Sequence, residues 1–285
     1  MKAHIVLPKL KTWFEEYTLQ FYSNDPIVQE NMDLKREHTL KVCEAIVDIG
    51  RSLDLSQNDL CVAESAALLH DIGRFEQFKQ YRTFADYKSE DHAALGVKII
   101  QANHILSDLE SDTARLIVRA VKYHNRAALP SREEERSLFL LKLLRDADKV
   151  DIWRVVTNYY QNAGCKRNKA IELDLPDSPQ ISDSVYKTLM NGKLVQMADL
   201  KTLNDFKMLQ IGWIYDINFP RTVQIIRENK YLEKIRDALP KTSTRVAEVY
   251  ARVNTYLDLF LSESLIKERG RNNFPIPNDC SAKLE

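Results

Sequence analysis

The chain has 285 residues, long enough for one or two domains with a sizeable buried core. Its 41 Lys and Arg balance its 41 Asp and Glu, which excludes broad electrostatic capture of nucleic acid or of an anionic membrane. Only seven residues are glycine, about a third of the usual ~7%, which argues against a turn-rich sandwich or barrel and for an all-α fold.

Helical periodicity dominates residues 9 to 160. Leu10, Trp13, Phe14, Tyr17 and Phe21 share one face of a helix over 9–22. His4 falls in the tail before it. Asp25-Pro26 opens the next helix, about 27–50, with His38, Val42, Ile46 and Ile49 inward. Ser56 or Asn58 can cap a helix over 59–71, and Gly73 is placed to stop it. Residues 74–90 are aromatic and charged without a clean period. They read as a long ordered loop with room for one short helix. Ser89 or Asp91 opens a helix over 91–103, and another follows over 108–124. A long, unusually apolar helix occupies about 132–161. A polar, proline-containing loop spans 164–184. Helical pattern returns over 185–269, broken near Asn218–Pro220 and at Pro240. The tail from Gly270 onward reads as flexible or extended. The division is therefore 1–163, a helical bundle; 164–184, a loop; 185–269, a C-terminal helical region; and 270–285, a tail.

Cys43, Cys61, Cys165 and Cys280 are scattered and include no Cys-x-x-Cys pair, so neither a disulfide framework nor a thiolate zinc site is expected. The N-terminus carries Pro8 and several lysines where a signal peptide needs an unbroken apolar stretch, and no run is long enough to span a bilayer. A cytoplasmic location without membrane contact follows as the expectation.

Four of the six histidines fall at helix ends or on inward faces: His38, His70, His92 and His124. Asp71 follows His70 directly. His38 and His70 are 32 residues apart, Asp71 and His92 21, His92 and His124 32, and His124 and Asp148 24. Each gap is about one helix plus a connection, so facing helices of one bundle can each contribute a ligand. His124 shares a face with Ile117, Ala120 and Val121. Asp148 shares one with Leu141, Leu144, Ile152 and Val155. A carboxylate on an apolar stripe is costly unless paired, and imidazole with carboxylate suits a divalent transition metal. Asp146, by contrast, lies on a half-polar stripe with Lys142 and Val150. Asp146 and Asp151 are assigned supporting or ion-pair roles.

The segments REHTLKV, AALLHDIGRF and RDADKVDIW, within residues 30–160, resemble the HD-domain superfamily of metal-dependent phosphohydrolases. The resemblance implies an all-helical HD bundle, here with a C-terminal helical extension. It places His38, His70, Asp71 and Asp148 on one metal, and His92 and His124 match the extra histidines of two-metal members. Asp71 then bridges two divalent ions, from among Mn, Fe, Mg, Ni or Zn. The implied activity is hydrolysis of a phosphomonoester or phosphodiester, such as a nucleotide, by metal-activated water. The expected partner is a small phosphorylated substrate. Arg74 and Lys149 are the leading phosphate contacts, ahead of Lys122 and Arg126. Relatives with the same six-ligand order include di-iron oxygenases, and a regulatory metal-binding module is a third class. The GYP segment of cyclic-dinucleotide-cleaving relatives is missing, and Arg74 stands where those relatives carry Lys.

Overall fold

The computed structural model describes residues 1–130, 132–162 and 168–272. The described residues are helical with no strand. The N-terminal segment contains α1 (Ala3–Leu19), α2 (Pro26–Arg51), α3 (Gln57–Leu69), α4 (Gly73–Tyr81), α5 (His92–Ala102), α6 (Ser111–Tyr123) and α7 (Glu135–Gln161). Beyond it lie α8 (Lys169–Glu172), α9 (Asp183–Met190), α10 (Leu203–Gly212), α11 (Pro220–Glu228), α12 (Tyr231–Asp237) and α13 (Thr244–Asn272).

The helix starts follow local chemistry. Asp25 accepts from the Ile27 and Val28 amides ahead of α2, with Pro26 as its first residue. The Ser56 hydroxyl accepts from the Asp59 amide, whereas the Asn58 side chain accepts from the Ala3 amide of α1. Asp91 accepts from the Ala93 and Ala94 amides and thereby fixes His92 as the first residue of α5.

Two local expectations are corrected. His4 sits within α1, not in a tail. Gly73 does not stop a helix; it begins α4, separated from the end of α3 by three residues. A Cβ there would lie 2.2 Å from the His92 carbonyl oxygen, so only glycine lets α4 approach the start of α5 this closely. Within 74–90, the short helix that the sequence leaves room for is α4, eight of whose nine residues fall there, and a 3-10 turn spans Asp86–Lys88. The helical period is concealed because its buried face mixes Phe75 and Phe78 with the fully buried Gln77. The Gln77 carboxamide donates to Asp86, Ser89 and the Glu90 carbonyl, which ties down the loop behind the helix.

The helix α7 is buried around most of its circumference, through Leu140, Leu143, Leu144, Ala147 and Trp153. A helix apolar all round is one packed on both sides. One side faces α2, α3 and α6; the other faces α11 and α12. Trp153 Nε1 donates to the Gln210 carbonyl at 3.0 Å, and Tyr160 donates to the Gln210 side chain at 3.0 Å. The C-terminal helices are interrupted more often than the pattern indicates. Besides 217–219 and Pro240, breaks occur at 191–202 and at Lys230, which adopts φ 54°. The short helix α8 lies inside the expected 164–184 loop, of which residues 164–167 fall outside the description. Of the expected tail, residues 270–272 form the last turn of α13 and 273–285 lie outside the described residues. Cys43 and Cys61 are free and buried; Cys165 and Cys280 lie outside the described residues. No helix among the described residues is long and apolar enough to cross a membrane.

Candidate metal centre

His38 and Asp148 project from the middles of α2 and α7. The other four residues come from helix ends: His70 and Asp71 just past α3, His92 opening α5, and His124 closing α6. All except the half-buried Asp148 are buried. The structure thus brings all six sequence-predicted residues together at one point between five helices.

Each imidazole is oriented by a hydrogen bond at Nδ1. His38 Nδ1 donates to Asp151 at 2.7 Å, His70 Nδ1 to the Ala67 carbonyl at 2.7 Å, and His124 Nδ1 to the Val121 carbonyl at 2.7 Å. His92 Nδ1 donates to Asp86 at 2.8 Å. Because every partner accepts only, each ring in its neutral form keeps its proton on Nδ1 and has its lone pair on Nε2. All four Nε2 atoms point into the centre.

There they fall into two groups divided by Asp71. Asp71 Oδ2 lies 3.6 Å from His38 Nε2 and 3.7 Å from His70 Nε2. Asp148 Oδ1 lies 3.1 and 3.6 Å from the same two nitrogens. Asp71 Oδ1 faces the other way, 3.3 Å from His92 Nε2 and 3.7 Å from His124 Nε2. Proximity alone would also join His70, His124 and Asp148. The two directions of the Asp71 oxygens make the partition into two half-sites.

The donor set fits divalent metal. The buried His70 Nε2 has no hydrogen-bond partner, a condition that costs about 1–3 kcal/mol. His92 Nε2 and His124 Nε2 stand 3.0 Å apart with lone pairs facing, which is repulsive until a cation or a proton intervenes. Burial opposes the charged form of His38, and Lys35 does too, yet Asp148 and Asp151 outweigh both and raise it to about 9. His92 goes the other way, to about 4, through burial and the nearby Arg74. Burial works against ionised Asp71 and Asp148. The cations around Asp71, Lys35 first, and the histidines around Asp148 nonetheless hold both well below the ordinary carboxylate range.

The supporting residues are less visible in the sequence. Asp151 takes the supporting role expected of it, with Arg154 Nε on its other oxygen at 2.6 Å. Asp146 is not at the centre; it accepts from the Asn218 and Phe219 amides and the Thr222 hydroxyl at the start of α11. Lys35, Asp86, Arg145 and Asp216 were not indicated by the sequence. Lys35 Nζ lies 2.8 Å from Asp71 Oδ2. Its only signal is its position one helical turn before His38. Asp86 accepts from His92, Arg74 and Gln77, and burial is outweighed there by His92 and Arg74, so it too stays ionised. Arg145 donates to the His124 carbonyl at 2.9 Å while Nε holds Asp216 at 3.1 Å.

The predicted phosphate contacts differ among themselves. Arg74 and Lys149 both line the cavity that opens onto His92, His124 and Asp148. Arg74 is anchored through NH1 to the Phe84 carbonyl and Asp86, while its buried Nε lies 3.5 Å from Asp71 Oδ1 as an ion pair. Lys149 Nζ reaches Asp216 at 2.7 Å, and burial, with Arg145 nearby, lowers its pKa. Arg126 lines the cavity but is paired with Asp91. Lys122 is exposed beside the Tyr123 ring, away from the cavity.

Asp151→Asn tests how the centre is oriented. The amide keeps the volume but replaces the anion that holds His38 Nδ1–H. Metal affinity is expected to fall about 10- to 100-fold with the fold intact, measured by titration against a metal-binding dye. Unchanged affinity would show that His38 is oriented without this carboxylate.

Residues 36–153 match the family model of the HD domain. No curated protein and no solved structure shows a significant similarity to the chain.

Proposed function

From the premise that this chain carries an HD domain over residues 36–153, we propose that it is a phosphohydrolase that uses two divalent metal ions to cleave a small phosphate ester. HD domains are mostly metal-dependent hydrolases, and the His and Asp cluster is of a kind that holds such ions. The observation that carries the two-ion reading is the Asp71 carboxylate, with one oxygen facing His38 and His70 and the other facing His92 and His124. His38, His70, Asp148 and Asp71 Oδ2 would hold one ion; His92, His124 and Asp71 Oδ1 would hold the other.

When bound, the ions supply Lewis acidity that makes water nucleophilic near neutral pH and polarises phosphoryl oxygens. The chain's own residues orient the substrate and receive the charge that develops on it. Arg74 is the main phosphate contact. Two of its acceptors fix NH1 and its Nε lies 3.5 Å from Asp71 Oδ1, so the guanidinium is pre-oriented beside the centre as a fixed positive charge for a phosphate oxygen. Lys149 adds a second cation on the cavity wall beside Asp148, steadied by Asp216. Burial of the histidines excludes competing water around them. The N-terminal 1–163 unit holds every proposed ligand, and residues 185–269 complete the cavity wall.

Metal analysis of the purified protein, paired with a phosphate-release screen over phosphomonoesters and phosphodiesters, tests this reading. Two ions per chain and metal-dependent phosphate release are expected. His92→Ala should lower the content by about one ion and cut phosphate release steeply, leaving the His38 half-site filled. One ion in both proteins would overturn the two-ion reading. Iron-dependent oxygen uptake without phosphate release would make the protein an oxygenase.

A further inference from the structure

The cavity over the metal centre has a volume of about 570 Å³ and two unlike sides. Its HD-domain side is polar, with Arg74, Arg126 and Lys149 beside His92, His124 and Asp148. Its other side comes largely from beyond residue 153 and is apolar: Leu173, Val195, Met197, Leu209 and Trp213, joined by Ile152 of α7. A ligand that fills such a cavity has an anionic head and an apolar body.

The apolar side also has a fixed aromatic residue. Trp213 packs against Trp153, ring centroids 6.1 Å apart, and Trp153 is fully buried and hydrogen-bonded to the Gln210 carbonyl. Asp216, one helical turn on, is clamped by Arg145 and Lys149. The segment carrying Trp213 is therefore tied to α7 at both ends. Phe84 and Tyr87 line the same cavity from the connection between α4 and α5, and Tyr87 is 66% exposed. Rigid aromatic walls favour a flat group that can stack on them.

We propose that the C-terminal helices form a leaving-group seat, with Trp213 as its specificity-determining residue, and that the site takes phosphate esters of aromatic or similarly flat apolar groups. This rests on the phosphohydrolase reading for the word ester, but its test does not require turnover. Phenylphosphonate and methylphosphonate carry the same anionic head, cannot be hydrolysed as esters, and differ only in the flat group.

Binding of each to the Mn²⁺-loaded full chain is measured by calorimetry, alongside phosphate release from esters as a separate readout. Phenylphosphonate is expected to bind at least about tenfold more tightly. Trp213→Ala should collapse that ratio towards one, and Trp213→Phe should keep most of it. Met197→Ala, at an exposed rim position, should reduce it partly and serves if Trp213→Ala fails to fold. The ratio is the readout, because a general loss of anion binding moves both affinities together. Equal affinities in the wild type, no binding of either phosphonate, or a ratio unmoved by these changes would overturn the seat. A Trp213-dependent preference without phosphate release from any ester would instead overturn the hydrolase reading and leave the seat standing.

Discussion

Asp71→Ala is expected to abolish phosphate release, by about 10³-fold or more, to remove metal from one half of the centre and to weaken its hold in the other. Among the described residues, Asp71 is the carboxylate whose oxygens lie within 3.7 Å of all four Nε2 atoms. Oδ2 faces His38 and His70; Oδ1 faces His92 and His124. Without it the second half keeps two imidazoles whose Nε2 atoms are 3.0 Å apart, and its nearest anion, Asp86, lies behind His92 at Nδ1. The first half keeps Asp148 and two imidazoles, so it should weaken rather than vanish. Graded loss is the expected pattern: the second ion goes first, and the first ion follows under dialysis against a chelator. Circular dichroism should show the helices intact, because the helix ends around Asp71 are fixed by other groups, such as the Asp91 cap of α5. Full occupancy by two ions in Asp71→Ala would refute the bridging role.

How far the site can be read from the sequence depends on the range of the interactions involved. The four histidines and Asp148 are legible because each sits on or beside an apolar helical stripe, where a polar group needs a reason. The helix caps at Asp25 and Ser56 are legible because they act over two or three residues. The supports are different. Asp86 reaches His92 from a 3-10 turn inside a segment with no regular period. Asp216 reaches Arg145 across 71 residues, and nothing local marks it as anything but a surface carboxylate. The helix α4 was concealed by a buried glutamine, whose carboxamide makes long-range bonds that no periodicity encodes. The dual packing of α7 was visible only as an unusual apolar density; which helices cover its second side is a tertiary fact.

Asp146 and Asp148 provide the sharpest separation of structural from chemical roles, since they are two residues apart on one helix. They point in different directions, as their two stripes indicate. Asp146 is fully buried against the start of α11. There it accepts from the Asn218 amide at 3.0 Å, the Asn218 side chain at 2.9 Å, the Phe219 amide at 3.1 Å and the Thr222 hydroxyl at 2.9 Å. Burial raises its pKa, so ionisation is costly and these donors offset that cost. Asp146→Ala would leave the donors without an acceptor in a dry site, a loss of about 3–5 kcal/mol. At about 2–4 °C per kcal/mol for a chain of this size class, the melting midpoint should drop by on the order of 10 °C. Asp146→Asn keeps the volume and part of the bonding, so that variant should bind nearly the full complement of metal. Asp148 makes no such anchor; its Oδ1 faces His38 Nε2 at 3.1 Å across the centre. Asp148→Asn should therefore lower the apo-protein's melting midpoint less than Asp146→Ala does, through loss of its pairing with His38, while losing the ion held by His38 and His70. Thermal melting of chelator-treated proteins, with metal content measured on untreated ones, separates the two effects. A stable, metal-replete Asp148→Asn beside a metal-depleted Asp146→Asn would reverse the assignment, and with it the apolar-stripe argument that placed Asp148 at the metal.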